Sequence, residues 1–359
     1  AVTTAKIVDD AVTAAKLADG AYLANRNFID NGAMQVSQRQ TTATFAEGAY
    51  VLDRWLPYNT SPGTATFTLS QSSTSPDGFA NSLRMECTAL DASVDAAAEV
   101  GIKYNIEAQD LQCLKKGTAS ALDVTFSFWV RSYLTGTYIL EIRDRDNNRV
   151  ICKSYTVSVA DTWEYKTITY AGDTTGALAD DNDKGFEMFW WLIAGTNMTS
   201  GTLATSWESR VNANRAVGQV NFGSSTSNNF YITGVQMEIG TVATPFENKL
   251  YGRELEACQR YFRLIGRGMI GMSITTTEFD FYGLWSEMRA SPSASLNTTT
   301  PTAQMNNYGV ITGSSSSVTQ NLADAQGTFG TRINGFSLTA HRQSTFGTTC
   351  IELSSEFAA

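Results

Sequence analysis

Between residues 26 and 247 the large apolar side chains recur at every second position, in short runs that end in clusters of Gly, Asn, Asp or Ser. A strand sends successive side chains to opposite faces, so this period predicts β-strands with one buried face. In TFSFWV (125–130), Phe126, Phe128 and Val130 share one face, and Ser127 and Trp129 share the other. YILEI (138–142), a polar DRDNN turn and the run 150–159 read as a hairpin. WEYKTITY (163–170), FEMFWWLI (186–193) and FYITGV (230–235) are further strands. At least seven such runs predict an antiparallel sandwich rather than a parallel α/β sheet.

After residue 250 the period changes. In LYGRELEACQRYFRLI (250–265), Leu255, Cys258, Tyr261, Phe262 and Ile265 recur at helical spacing, and Gly266 and Gly268 follow. This predicts a short amphipathic helix. Strands resume at 269–275, 278–284, 293–296, 308–311 and 335–340, separated by polar stretches such as NTTTPTAQMNN. At the other end, AVTTAKIVDD and AVTAAKLADG stand in tandem at 1–20. A ten-residue unit with so few large apolar groups has no core of its own and must bury them against copies of itself. With two copies in sequence, the copies are expected from parallel chains. The first residue is Ala rather than Met, and more of this stem is expected upstream. The organisation expected is a repeat stem at 1–24, a jelly-roll sandwich at 25–247, a helical joint at 248–265 and a smaller β-sandwich domain at 266–359. The chain as a whole is mainly β.

Composition narrows the partners. Charged residues make up 17% of the chain and the net charge is −9, which disfavours a grip on a phosphate backbone, so no nucleic acid is expected. Five cysteines form neither close pairs nor metal spacings, so buried free thiols are expected. No apolar run is long enough to cross a bilayer as a helix, no signal peptide stands at the start, and no membrane insertion is expected.

Several stretches resemble bacteriophage tail-fibre and minor structural proteins whose central domain is a jelly roll of carbohydrate-binding-module type. They are NRNFIDNGAMQVSQR (25–39), YVLDRW (50–55), SFWVRSYLTGTY (127–138), DTWEYKTITYAGDTTG (161–176), FYITGVQMEIGTVATPFE (230–247) and YGRELEACQRYF (251–262). FYGLWSEMRASPSASL (281–296) is more loosely similar to the small β domains that end many fibres. The resemblance implies a virion protein, trimeric, placed where the particle meets its host.

The chemistry fits binding better than catalysis. The single histidine, His341, has no nucleophile motif near it, and no catalytic residue is expected. Asp180, Asp181 and Asp183 sit in a turn-like sequence and read as a solvated loop, so the glycan-depolymerase reading is the weakest. Asp144, Asp146 and Asn148 resemble the start of a calcium loop, but Arg149 and Tyr155 stand where its Gly and Glu belong. The turn explains these residues, no cofactor is assigned, and room remains for a structural calcium elsewhere in the domain.

Alternation places Trp129, Phe189, Trp191 and Tyr231 on the faces of their strands that point away from the core. An outward aromatic face suits either stacking against sugar rings or packing between subunits. Trp55, Trp163, Trp207 and Trp285 read as core or loop anchors. The expected function is adhesion to host-surface glycans by a homotrimeric virion tail fibre assembled in the bacterial cytoplasm, with the distal domain as its preferred host-contact element. Other tail proteins would attach on its N-terminal side. The alternative is a collar, head-fibre or tail-adaptor component that binds other virion proteins.

Overall fold

In a computed structural model of the chain, residues 25–265 are described throughout, followed by the strands named below and residues 286–292 and 355–357. The stem at 1–24, the run at 335–340, Trp285 and His341 lie outside the described residues. The chain divides into two compact units at residues 251/252.

The first unit holds β1 (Thr42–Thr44), β2 (Leu56–Thr60), β3 (Thr66–Ser72), β4 (Ser82–Ala89), β5 (Glu99–Glu107) and β6 (Val124–Ser132). It continues with β7 (Gly136–Asp144), β8 (Arg149–Val157), β9 (Glu164–Tyr170), β10 (Lys184–Ala194), β11 (Glu208–Ser209) and β12 (Asn229–Ile239). They form two six-stranded sheets, ordered β1-β3-β4-β12-β6-β9 and β11-β8-β7-β10-β5-β2. Every pairing is antiparallel, so the unit is a jelly-roll-like β-sandwich, as the alternation predicts.

One face of each sheet supplies the core. Phe126, Phe128, Val130, Phe230 and Ile232 from the first sheet meet Tyr138, Leu140, Met188, Trp190 and Leu192 from the second. Trp190 is its centre, with ring centroids 5.4 Å from Trp55, 6.1 Å from Phe126 and 6.3 Å from Phe128. Burying an aromatic of this size contributes about 2–3 kcal/mol over leaving it in water. β12 keeps its apolar residues inward through a bulge between Thr233 and Gln236. Without that extra residue, Val235 and Met237 would point outward and Gln236 inward. Gly234 adopts φ +61° there, a conformation that favours glycine.

The DRDNN turn joins β7 to β8, and its first aspartate, Asp144, is already partnered. Lys116 Nζ lies 2.5 Å from Asp144 and 3.2 Å from Asp173, and it donates to the carbonyls of Thr175 (2.9 Å) and Gly176 (2.7 Å). An ammonium thus occupies the oxygen cluster around Asp144, the aspartate that begins the calcium-like spacing.

In the second unit the helix covers Tyr251–Gln259 and stops short of the predicted end. Phe262–Ile265, read from the sequence as its last turn, is a strand, β13. It pairs with the last strand, β22 (Ile351–Ser354), which also pairs with β16 (Ser293–Leu296). Phe262 and Ile265 satisfy a helical period as well as a short strand, and a partner almost ninety residues away decides between them.

A seven-stranded sheet contains β14 (Ile270–Ser273), β15 (Glu278–Leu284), β17 (Thr302–Met305), β18 (Gly309–Thr312), β19 (Val318–Ala323), β20 (Thr328–Asn334) and β21 (Gln343–Phe346). NTTTPTAQMNN, read as a loop, contains β17. Its Thr and Gln give no apolar alternation, and only pairing with β18 and β21 makes it a strand.

Candidate functional site

The outward face of the first sheet carries two parallel rows of side chains, set by strand register. In one row Tyr165 on β9 stands opposite Trp129 on β6, and Trp129 opposite Thr233 on β12. In the next, Arg131 on β6 stands opposite Tyr231 on β12, and Tyr231 opposite Arg84 on β4. Two residues along a strand separate the rows by about 7 Å.

The first row opens into a groove. Trp129 and Tyr165 contact each other at 5.3 Å between centroids and form one wall. Phe79 and Phe246, 5.1 Å apart, line it with Gly78, Gly234, Pro245 and Asn248, enclosing about 440 Å³. Tyr165 is 45% exposed and Trp129 is partly exposed, so both rings reach solvent. Burial raises the Tyr165 phenol pKa, while a hydrogen bond with Ser127 acts the other way, so the hydroxyl stays a donor at neutral pH. Glycine suits the floor: Gly234 has φ +61°, and a Cβ there would lie 2.6 Å from the Phe79 ring and push it aside.

Thr244 donates backbone N–H and hydroxyl to Glu238, and Gln236 accepts from the Glu247 N–H, folding residues 240–247 back over the end of β12.

In the second row Arg131 and Arg84 flank the Tyr231 ring, at 5.1 Å and 5.7 Å from its centroid. Trp163, read as a core or loop anchor, is half-buried with its ring 6.1 Å from Tyr231. Tyr165, Phe79 and Phe246 were not singled out from the sequence. Tyr165 was legible, because WEYKTITY sends Tyr165, Thr167 and Thr169 to one face. Phe79 and Phe246 were not, because they come from loops.

The four aromatics expected on outward faces therefore separate. Trp129 and Tyr231 share the first sheet, where Trp129 reaches solvent but Tyr231 is only 7% exposed, with Arg84, Arg131 and Trp163 around its ring. Phe189 and Trp191 lie on the outer face of the second and are buried, at 1% and 0% exposure. Met198, Ala204 and Ala216, from the crossing between β10 and β12, pack over them with Ile139, Val150 and Cys152 to make a second core.

Charge pins that crossing. Arg215 donates to Glu141 at 3.0 and 3.1 Å and to Glu99 at 3.0 Å, while Trp191 Nε1 donates to Glu141 at 2.9 Å. The two flanking glutamates raise the Arg215 pKa further above its ordinary value, outweighing desolvation. Phe189 and Trp191 point away from the main core as expected, yet they are not open to a ligand. The long polar segment 195–228, too long for a plain turn, was the sequence signal for a cover.

Among the described residues no group of three or more His, Cys, Asp or Glu is placed to hold a metal ion. No helix there is long and apolar enough to cross a membrane. Asp180, Asp181 and Asp183 lie exposed in a loop whose backbone carbonyls at Asp181 and Asp183 bond Gln109 and Ala108.

No protein family matches this chain, and no curated protein matches it. Among solved structures it is similar to the family 11 carbohydrate-binding module of a cellulosomal cellulase from Clostridium thermocellum. That match has 14% identity, 57% of this chain and 97% of the other covered, and a TM-score of 0.28. A family 22 carbohydrate-binding module of a Clostridium thermocellum protein matches at 12% identity, 62% and 98% coverage and a TM-score of 0.30. The enzymatically active domain of tailspike protein 4 from bacteriophage CBA120 matches at 14% identity and a TM-score of 0.31. There 60% of this chain covers only 21% of the other. At TM-scores near 0.3 these likenesses carry no weight for function, and the site stands on its own geometry.

Proposed function

We propose that this chain is a glycan-binding virion protein, a homotrimeric bacteriophage tail fibre that meets its host's surface through the outer face of the sandwich. The observation behind the glycan reading is the solvent-open pair of Trp129 and Tyr165, with Phe79 and Phe246 along the same groove. A pyranose ring has a flat C–H side that packs on an aromatic face, and its rim of hydroxyls needs polar partners. Thr167, exposed two residues from Tyr165 on β9, and Asn248, exposed along the groove, stand ready to supply them. The tandem repeat at 1–20 and the resemblance along 25–262 support the virion and trimer parts. A shallow groove binds weakly, and three copies on one stem raise the effective concentration enough to hold a surface.

A glycan array with the purified chain, repeated with Trp129→Ala and Tyr165→Ala, tests the site. Each variant is expected to lose binding by about tenfold, equivalent to about 1.4 kcal/mol. Unchanged binding in both would remove this face from consideration. Incubation with the bound glycan is expected to release no new reducing ends.

A further inference from the structure

We infer that the second row of the same face selects acidic sugars, holding the carboxylate of a uronic acid between Arg131 and Arg84. This rests on the glycan reading above and names the class of glycan. Arg131, Tyr231 and Arg84 sit side by side on three neighbouring strands, β6, β12 and β4. Two guanidinium groups thus lie two strand spacings apart, about 10 Å, with one aromatic ring between them. Stacking on Tyr231 holds both upright, at 5.1 and 5.7 Å from the ring centroid.

Each guanidinium has five N–H donors, and little of that capacity is used. Arg131 Nη2 bonds Asp161 at 3.2 Å, and Arg84 Nη2 pairs with Glu86 at 2.9 Å. The Nε of each is buried and unbonded, so the donors left for a ligand are those of the Nη atoms on side chains 24% and 32% exposed. Both acidic partners are 40% exposed, so these are surface pairs that contribute little and exchange readily. Their chemistry is informative, because each arginine already holds a carboxylate at this face.

A uronate carboxylate can take the place of Asp161 or Glu86 on these arginines, because exposed pairs of this kind exchange readily. A planar carboxylate also matches the guanidinium fork. Trp129 lies two residues from Arg131 on the same face of β6, about 7 Å away. A sugar stacked in the first row therefore brings its chain neighbour's carboxyl group to the second.

The test uses polygalacturonate, alginate and hyaluronan, each beside a form whose carboxyl groups have been reduced to alcohols. At least one native polymer is expected to bind the full chain tenfold or more tighter than its reduced form. Arg131→Ala and Arg84→Ala are each expected to cut that ratio at least threefold, as are Arg131→Gln and Arg84→Gln, which keep part of the packing against Tyr231. Thermal melting at the wild-type temperature shows that these variants fold. Binding to neutral glycans on the array, with no native-to-reduced ratio above twofold, would overturn the acidic-sugar inference and leave the glycan reading standing. Binding to no glycan at all would overturn both.

Discussion

Lys103 projects from β5 onto the covered face of its sheet, its ammonium 3.1 Å from the centre of the Tyr58 ring and 3.5 Å from Glu187. Desolvation is the larger influence and brings its pKa down to about 8, against the opposing pull of Glu187, Glu99 and Glu141. Because the folded value lies below the unfolded one, the unfolded chain binds more protons between about pH 8 and 10.5. The contribution of Lys103 to stability therefore rises with pH across that window. The buried Cys87 and Cys152 thiols, whose pKa values burial raises, act in the opposite sense and cancel when wild type is compared with Lys103→Met. Denaturant unfolding at pH 8 and pH 9.5 is expected to show wild type gaining about 1–2 kcal/mol relative to that variant. A constant difference would mean that the lysine titrates normally. Lys103 also shows the reach of the sequence at this scale. β-alternation gives the side of the sheet its side chain occupies, whereas its burial depends on chain segments far away.

The crossing from β10 to β12 acts as an element although it holds little regular structure. Arg215 ties it to Glu141 and Glu99 on two different strands, with Glu141 almost fully enclosed. Arg215→Ala leaves those carboxylates without their cation, and breaking a buried pair of this kind costs about 3–5 kcal/mol. Denaturant unfolding measures the loss. Labelling of Cys152, which lies beneath the crossing, by a thiol reagent with peptide identification is expected to accelerate in the same variant. Equal labelling rates would show that Arg215 does not hold the cover down. The hairpin β7–β8 and the strands β6 and β9 were legible because each has a clear period and a turn-rich end, whereas the pairing of β6 with β9 was not. β13 and β17 were not, since their sequences fit a helix or a loop until a distant strand supplies their hydrogen bonds.

For the whole molecule, the repeats at 1–20 and the groove make separate demands. The stem proposed at 1–24 would associate, and light scattering is expected to give three times the 39.0 kDa chain mass. Deleting residues 1–24 is expected to lower that mass while leaving the sandwich folded. A monodisperse single chain at full length would end the fibre reading. Within a virion, a free outer end of the fibre fits adhesion, whereas both ends embedded in other proteins would favour the collar or adaptor role.

The sequence by itself determined β6–β10 and β12 of the sandwich, the inward faces of β6, β10 and β12, and the outward direction of Trp129, Tyr231, Phe189 and Trp191. These follow from a period-two pattern that any local stretch of chain carries. Only the tertiary structure decided which of those rings meet solvent. It placed Trp129 beside Tyr165 and roofed Trp191 with residues brought from the far side of a long crossing. Exposure is a property of what packs against a face, and the segments that do so are separated in sequence from the strands they cover.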